Sequence, residues 1–432
     1  MKLHHIYIAF LLAGFASMPS CITKEPEYVD FSCYQGYPNA FIPTDETSTD
    51  VRAEKPWENI YADWQQPAKQ QEVNQRPVQK TSPLAMTDLA RCLLEAMLTN
   101  KVHQVAGTYK SVNIHGDSLV VSGKFFYPES GVIRNLMLVS HYTIGANHEA
   151  PSQTFSFEGM FASLGYGVIM ADYVGFGVTA DMLHPYLQAY TTAHNVIDMA
   201  LAVRPFIAER GLKVENDSLI LWGYSQGGAT TMHVQRLLEN DRDYVGKFNI
   251  KRNYAGAGPY DIAKTYDYCI ETGLTGIPCA MPMIIQGMSI GMDKPLEMDY
   301  FFQEPLLSNY DHWINSKQYT VNQMSTLIGV NRVEKLLTEE ARNKQNVETA
   351  RFYMELLQNS IPQSFVPKAP VYMFHSMDDQ TVPFINSQLM HSQFDKAAIK
   401  GEKKNVEYDF GHYGDHMQGA MVFMKKTAKL LK

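Results

Sequence analysis

The sequence predicts an α/β protein: a mainly parallel sheet flanked by helices, with an inserted helical cap. Three observations predict it. From Gly107 onward, short apolar runs alternate with helical patterns, as strands and crossover helices do when both faces of a parallel sheet are covered. Between 266 and 365 the alternation gives way to a helical pattern. After 366 it resumes to the last residue, so the helical stretch interrupts one sheet instead of following it.

Composition bounds the rest. The 432 residues are 45% hydrophobic and 12% aromatic, with a net charge of −8. That is enough apolar material for a sizeable core and unlike a disordered, coiled-coil or collagen-like chain. An acidic chain with few Lys/Arg clusters lacks the footprint of a polyphosphate binder, so no nucleic-acid partner is expected.

Residues 1–20 read as an export signal: Lys2, His4 and His5 precede the apolar run Ile6–Ala16, which is too short to span a bilayer. Cys21 follows directly and begins a polar stretch, which points to a bacterial lipoprotein signal with Cys21 as the acylated mature terminus; simple secretion is the alternative. The chain is thus expected to be exported and held at a bacterial membrane, periplasmic or cell-surface side. Residues 21–100 read as a tether and arm, irregular from 22 to 85, with a first helix over Thr87–Leu98. Setting Cys21 aside leaves four of the five cysteines. In an oxidising compartment these permit two disulfides, Cys269 with Cys279 and Cys33 with Cys92.

Residues 101–265 and 366–432 make the α/β domain. Tyr109–Ile114 and Leu119–Tyr127 are strands joined by the turn His115-Gly116-Asp117-Ser118. Further strands are expected at Leu136–Val139, Gly167–Ala171, Ser218–Trp222, Asn253–Ala257, Val371–Phe374 and Val406–Phe410. Helices are expected at Phe155–Leu164, Thr191–Pro205, Gly227–Asn240, Pro383–Phe394 and from Met417. The interrupting segment, 266–365, carries Met281, Met283, Met288, Met292 and Met298. Methionines at this density fill an ordinary packed subdomain or give a cap a deformable apolar lining.

The chemistry centres on Gly223-Tyr224-Ser225-Gln226-Gly227-Gly228, set between the apolar strand and a helix. G-x-S-x-G in that setting is a nucleophile elbow, with Ser225 as nucleophile. Its small neighbours Gly223 and Gly227 let the turn close against neighbouring backbone. The following helix aims free N–H groups at a developing oxyanion. A serine hydroxyl needs a base, and the base an orienting acid, in the chain order Ser, Asp, His for this elbow. Asp379, in the loop after strand Val371–Phe374, is the expected acid, with Asp378 as competitor. His416, just before the last helix, is the expected base, with His412 as competitor; Gly419 and Ala420 would let His416 approach the elbow. The oxyanion donors are expected from the N–H of Gln226 and from the loop after Val139, at Tyr142 or Thr143, with Tyr142 preferred. Asp172-Tyr173-Val174-Gly175-Phe176-Gly177 lacks the G-x-G-x-x-G spacing of a dinucleotide site. No His/carboxylate pair stands at ligand spacing on one element, so neither metal nor cofactor is expected.

These residues resemble the α/β-hydrolase superfamily and, more closely, the secretory lipases, the group of yeast lipase A and its bacterial relatives. The resemblance is carried by GYSQGG at 223–228, DYVGFG at 172–177, HPYL at 184–187, and the helix with Asp198, Ala202 and Arg204. The order Ser225, Asp379, His416 and the helical insertion add to it, over about 107–432. It implies an α/β-hydrolase fold, carboxylester hydrolysis and a lipid-facing cap. The reading is a serine lipase or esterase working through an acyl-enzyme on a lipid or small ester. The rivals are a serine peptidase on the same fold and a non-catalytic lipid-binding relative.

Overall fold

The computed structural model describes residues 28–51, 101–399 and 405–432. Residues 1–20, Cys21, the helix expected at Thr87–Leu98 and Cys92 lie outside the described residues. Nine strands form one sheet: β1 (Ile42–Thr49), β2 (Val102–Val112), β3 (Ser118–Pro128), β4 (Leu136–Ser140), β5 (Gly167–Ala171), β6 (Ser218–Tyr224), β7 (Asn249–Gly256), β8 (Val371–Ser376) and β9 (Val406–Gly411). The order across the sheet is β1-β2-β3-β5-β4-β6-β7-β8-β9. The first three strands pair antiparallel; every pairing from β5 to β9 is parallel.

The central strands β4, β5 and β8 are buried at every position, as expected where both faces of a parallel sheet are covered. Their alternation sorts side chains into two cores. Leu138, Ile169 and Leu221 face helices α1 (Ala189–Arg210) and α2 (Gln226–Asn240), against Val196, Met199, Val234 and Leu237. Met137, Val139, Met170 and Trp222 face the other way, against Phe157 and Phe161 of a 3-10 helix (Phe157–Leu164) and Phe423 of the C-terminal helix. The strand order reverses at β4, with β5 on one side and β6 on the other. In open α/β sheets such a switch point opens a crevice at the carboxyl ends of the strands.

β1 corrects the reading of residues 22–85 as irregular. Ile42–Thr49 pairs antiparallel with β2 at the sheet edge, with seven of its eight residues exposed. Its strandedness rests on backbone pairing, so no apolar period announces it; Pro43, Asp45 and Glu46 suit an edge. The arm before it is anchored by buried Phe31 and Phe41 and by Arg204, which donates to Tyr34 Oη at 2.5 Å and to the Lys247 carbonyl at 2.8 Å.

Between β7 and β8 the chain forms helices α3 (Ile262–Thr272), α4 (Ala280–Ile290), α5 (Val321–Ile328) and α6 (Val347–Asn359), with loops and shorter helical segments between them. They share a core of Met281, Met283, Met288, Phe301, Phe302, Phe352 and Leu356, to which Tyr186 and Leu187 of the α/β part contribute. Three of the five methionines noted in the sequence are therefore core; Met292 and Met298 are partly buried against it. The expected Cys269–Cys279 disulfide does not form: both thiols are free and buried. Cys269 sits on α3, whereas Cys279 faces α5, with its Sγ 3.7 Å from the Val321 carbonyl and accepting from Ser325 Oγ at 3.5 Å. Short spacing in sequence does not bring two Cβ vectors together. Burial pushes the thiol of Cys269 up to about 11 and that of Cys279 to about 12, which leaves both unreactive. Cys33 is disulfide-bonded. Among the described residues no helix is long and apolar enough to cross a membrane.

Candidate active site

Ser225 occupies the turn between β6 and α2 with φ 59° and ψ −126°, a conformation that few side-chain-bearing residues adopt. The turn is clamped by Ser225 N–H to the Gly256 carbonyl at 3.0 Å and Gly228 N–H to the Ser225 carbonyl at 2.8 Å. Only glycine fits around it. A Cβ on Gly223 would lie 2.1 Å from the Gly227 carbonyl oxygen, and one on Gly227 2.0 Å from that of Ser140. The second contact also seats the loop after β4 directly against the elbow.

The last two helices of the α/β part are α7 (Ile385–Ile399) and α8 (His416–Leu431). His416 opens α8 behind the Asp415 cap, whose side chain accepts from Gln418 N–H. Its Nε2 lies 2.8 Å from Ser225 Oγ and its Nδ1 2.5 Å from Asp379 Oδ2. Tyr224 Oη donates to the His416 carbonyl at 2.7 Å, with the two rings 5.0 Å apart. Gly419 allows this: a Cβ there would lie 2.8 Å from Tyr224 Oη. Asp379 Oδ1 accepts the N–H groups of Thr381 and Val382, both at 2.9 Å. Burial alone would raise its carboxyl. The facing His416 and the hydrogen bonds of His375 and His416 outweigh that and hold it well below the usual carboxylate range. The competitors meet each other instead. His412 Nδ1 lies 2.8 Å from Asp378 Oδ1, with side chains 75% and 44% exposed, in a surface pair apart from Ser225.

Gln226 begins α2, buried beside the serine. In the facing loop, Tyr142 packs with Ile144, Ala150 and Phe176, and Thr143 Oγ1 lies 2.8 Å from Tyr186 Oη. His141 is buried and serves that loop: Nδ1 lies 2.6 Å from the Tyr142 carbonyl, and the ring stacks on Tyr173 at 3.8 Å. Burial pushes its imidazole down to about 4, against the pull of the Tyr142 and Asp172 carbonyls, so it stays neutral. The DYVGFG segment is scaffold here. Tyr173 Oη donates to the His141 carbonyl at 3.2 Å; buried Asp172 accepts Ser122 Oγ at 2.5 Å and Ser152 N–H at 2.7 Å. The inserted helices touch both sides of the site. Gly276 packs on Thr381 beside the acid, and Gly145, three residues past Tyr142, packs on Met324 and Tyr319.

Two side chains escaped the sequence reading. Ser376, at the end of β8, donates to the Gly414 carbonyl at 2.5 Å and accepts Tyr413 N–H at 3.1 Å, which laces the loop of Asp379 to the loop of His416. His375 stands behind Asp379, its Nε2 3.4 Å from Asp379 Oδ2. Its place four residues before Asp379, at a strand end, was the available signal.

A serine raised on a tight turn, at the carboxyl end of a mostly parallel sheet, is how α/β-hydrolases are built, and this fold is of that class. The chain belongs to the secretory lipase family, whose sequence pattern matches residues 153–429. It is accordingly a lipase or esterase, a hydrolase of carboxylic esters. The rice cell wall degrading esterase LipA from Xanthomonas oryzae is 20% identical, with a TM-score of 0.65 over 80% of this chain and 92% of that one. A putative hydrolase from Legionella pneumophila is 19% identical, TM-score 0.69, over 81% and 94%. Lipase A of Candida antarctica in its closed state is 16% identical, TM-score 0.56, over 80% of each chain. No curated protein matches the sequence.

Proposed function

We propose that Ser225, His416 and Asp379 act as nucleophile, base and acid in ester hydrolysis through an acyl-enzyme. The observation that carries this is the unbroken hydrogen-bond line from Ser225 Oγ through His416 to Asp379 Oδ2. Ser225 Oγ attacks the ester carbonyl while His416 Nε2 takes its proton. Asp379 keeps the imidazole in the Nδ1–H tautomer and stabilises the imidazolium. The backbone N–H groups of Gln226 and Tyr142 hold the oxyanion, an interaction worth about 3 kcal/mol of barrier for each donor. His416 then protonates the departing alcohol, and water, deprotonated by His416, releases the acid. No cofactor enters the scheme.

The substrate is a lipid or small ester reached under the helical cap of residues 266–365, which abuts the loops of both Tyr142 and Asp379. The family's description as secretory supports export, and a diacylated Cys21 would hold the enzyme at the membrane. The test is turnover of p-nitrophenyl acyl esters of graded length beside aminoacyl p-nitroanilides, with fluorophosphonate labelling. Ester cleavage with the label on Ser225 is expected. Faster anilide cleavage would favour a peptidase, and an unlabelled Ser225 a non-catalytic binder.

A further inference from the structure

The triad reading leaves one titratable side chain in contact with its acid and without a role. His375 is fully buried at the carboxyl end of β8. Its Nε2 lies 3.0 Å from the Val382 carbonyl and 3.4 Å from Asp379 Oδ2; its Nδ1 lies 2.7 Å from Ser387 Oγ, which is also buried. Phe384 closes the ring edge at 5.5 Å.

These contacts determine where the proton sits. A backbone carbonyl can only accept, so the 3.0 Å contact with Val382 requires Nε2 to carry hydrogen. Nδ1 is then the acceptor, and the hydroxyl of Ser387 donates to it. In the opposite tautomer a lone pair would face both the Val382 carbonyl and the Asp379 carboxylate, two repulsive contacts around a fully buried ring. The Val382 carbonyl and the Asp379 carboxylate therefore set the tautomer, the Ser387 hydroxyl anchors the ring by donating to Nδ1, and the Nε2–H is shared between Val382 and Asp379.

From this we propose that His375 is a positioning residue that aims the triad acid, with Ser387 as the group that anchors its ring from the far side. The proposal rests on the reading of Asp379 as that acid. Oδ1 is occupied by two backbone amides. Oδ2 alone serves His416, and His375 is its only other side-chain partner among the described residues. With both oxygens saturated, the carboxylate neither rotates nor takes up a proton when the imidazolium forms beside it. The other titratable groups near this cluster are Tyr224 and Asp415 around His416, and the Asp378–His412 pair on the solvent side.

The variants His375→Leu, His375→Gln and Ser387→Ala test this. Leu keeps bulk and loses the donor; Gln returns an N–H near the Nε2 position; Ala at 387 removes the ring's anchor at Nδ1. Ester kcat, KM and their pH profiles are measured per active site, titrated with a fluorophosphonate, alongside Tm. His375→Leu is expected to lower kcat roughly 10- to 100-fold, the scale seen when outer partners of a catalytic ligand are removed, with KM unchanged. Its acid limb moves up by about half a pH unit, because a carboxylate with one donor fewer holds the imidazolium more strongly. His375→Gln is expected to restore most of kcat and the wild-type acid limb, and Ser387→Ala to fall between. Should His375→Leu fail to fold, a smaller displacement of the acid limb in the same direction in Ser387→Ala decides the matter. Wild-type kcat and profile in folded Leu or Ala variants overturn the proposal. So does a Gln variant as impaired as Leu with losses that track Tm alone, which is the mark of packing. An enzyme whose Ser225 takes no label would instead sink the triad reading beneath it.

Discussion

Ser225, His416 and Asp379 are separated by 154 and 37 positions in the chain yet form one hydrogen-bonded line. Ser225→Ala is expected to lower ester kcat by about 10⁴- to 10⁶-fold, as does removal of a nucleophile that acts as a unit with its base. His416→Ala should match it, and combining the two should add little. His412→Ala should stay within about twofold of wild type, because its partner is Asp378 at the surface. Steady-state rates for the four variants check this; equal losses for the two histidines would refute the assignment. The sequence favoured His416 over His412 from Gly419 and Ala420, and Gly419 is where Tyr224 passes to reach the base loop. It gave no role to His375 or Ser376: Ser376 binds the loop after another strand, and His375 depends on how the turn after its own strand folds back on it.

At the scale of elements, the elbow is a fit between β6, α2 and the end of β4. Gly227→Ala would push a methyl to 2.0 Å from the Ser140 carbonyl oxygen. Neither the strand nor the helix backbone can yield by that much without moving the Tyr142 loop. The expected outcome is loss of activity and a fall in stability of at least about 2 kcal/mol, on the scale of core overpacking. Urea unfolding and fluorophosphonate labelling measure both, and a variant that is stable and labels at the wild-type rate would contradict it. The buried thiols make a second prediction. Thiol reagents should leave Cys269 and Cys279 unmodified in the native protein and label both after denaturation, read by mass spectrometry of their peptides.

Across the whole molecule, pH dependence follows from groups that burial holds away from their ordinary titration. Glu158 is buried, one of its carboxylate oxygens has no hydrogen-bond partner among the described residues, and burial raises its carboxyl from 4.5 to about 7. The folded state thus binds this proton more tightly than the unfolded chain. Its contribution to stability falls as pH rises from about 4.5 to about 7, by up to about 3 kcal/mol, and is level above that. Glu158→Gln should be more stable than wild type at pH 8 and equal near pH 4, as measured by urea midpoints across that range; parallel curves would refute it. Asp379 has the opposite sign: its stabilising effect is present above about 3.8 and is lost as pH falls towards its depressed folded value. Sequence alone determined the alternating parallel sheet, the helical interruption and the tight turn that carries Ser225. Each of these is written in local periodicity, or in glycines that a tight turn demands. Only tertiary structure decided that β1 is a strand, that Cys269 and Cys279 stay apart, and that His375 backs the acid. Those outcomes depend on which backbone lies across the gap, and through-space neighbours leave no period in the chain.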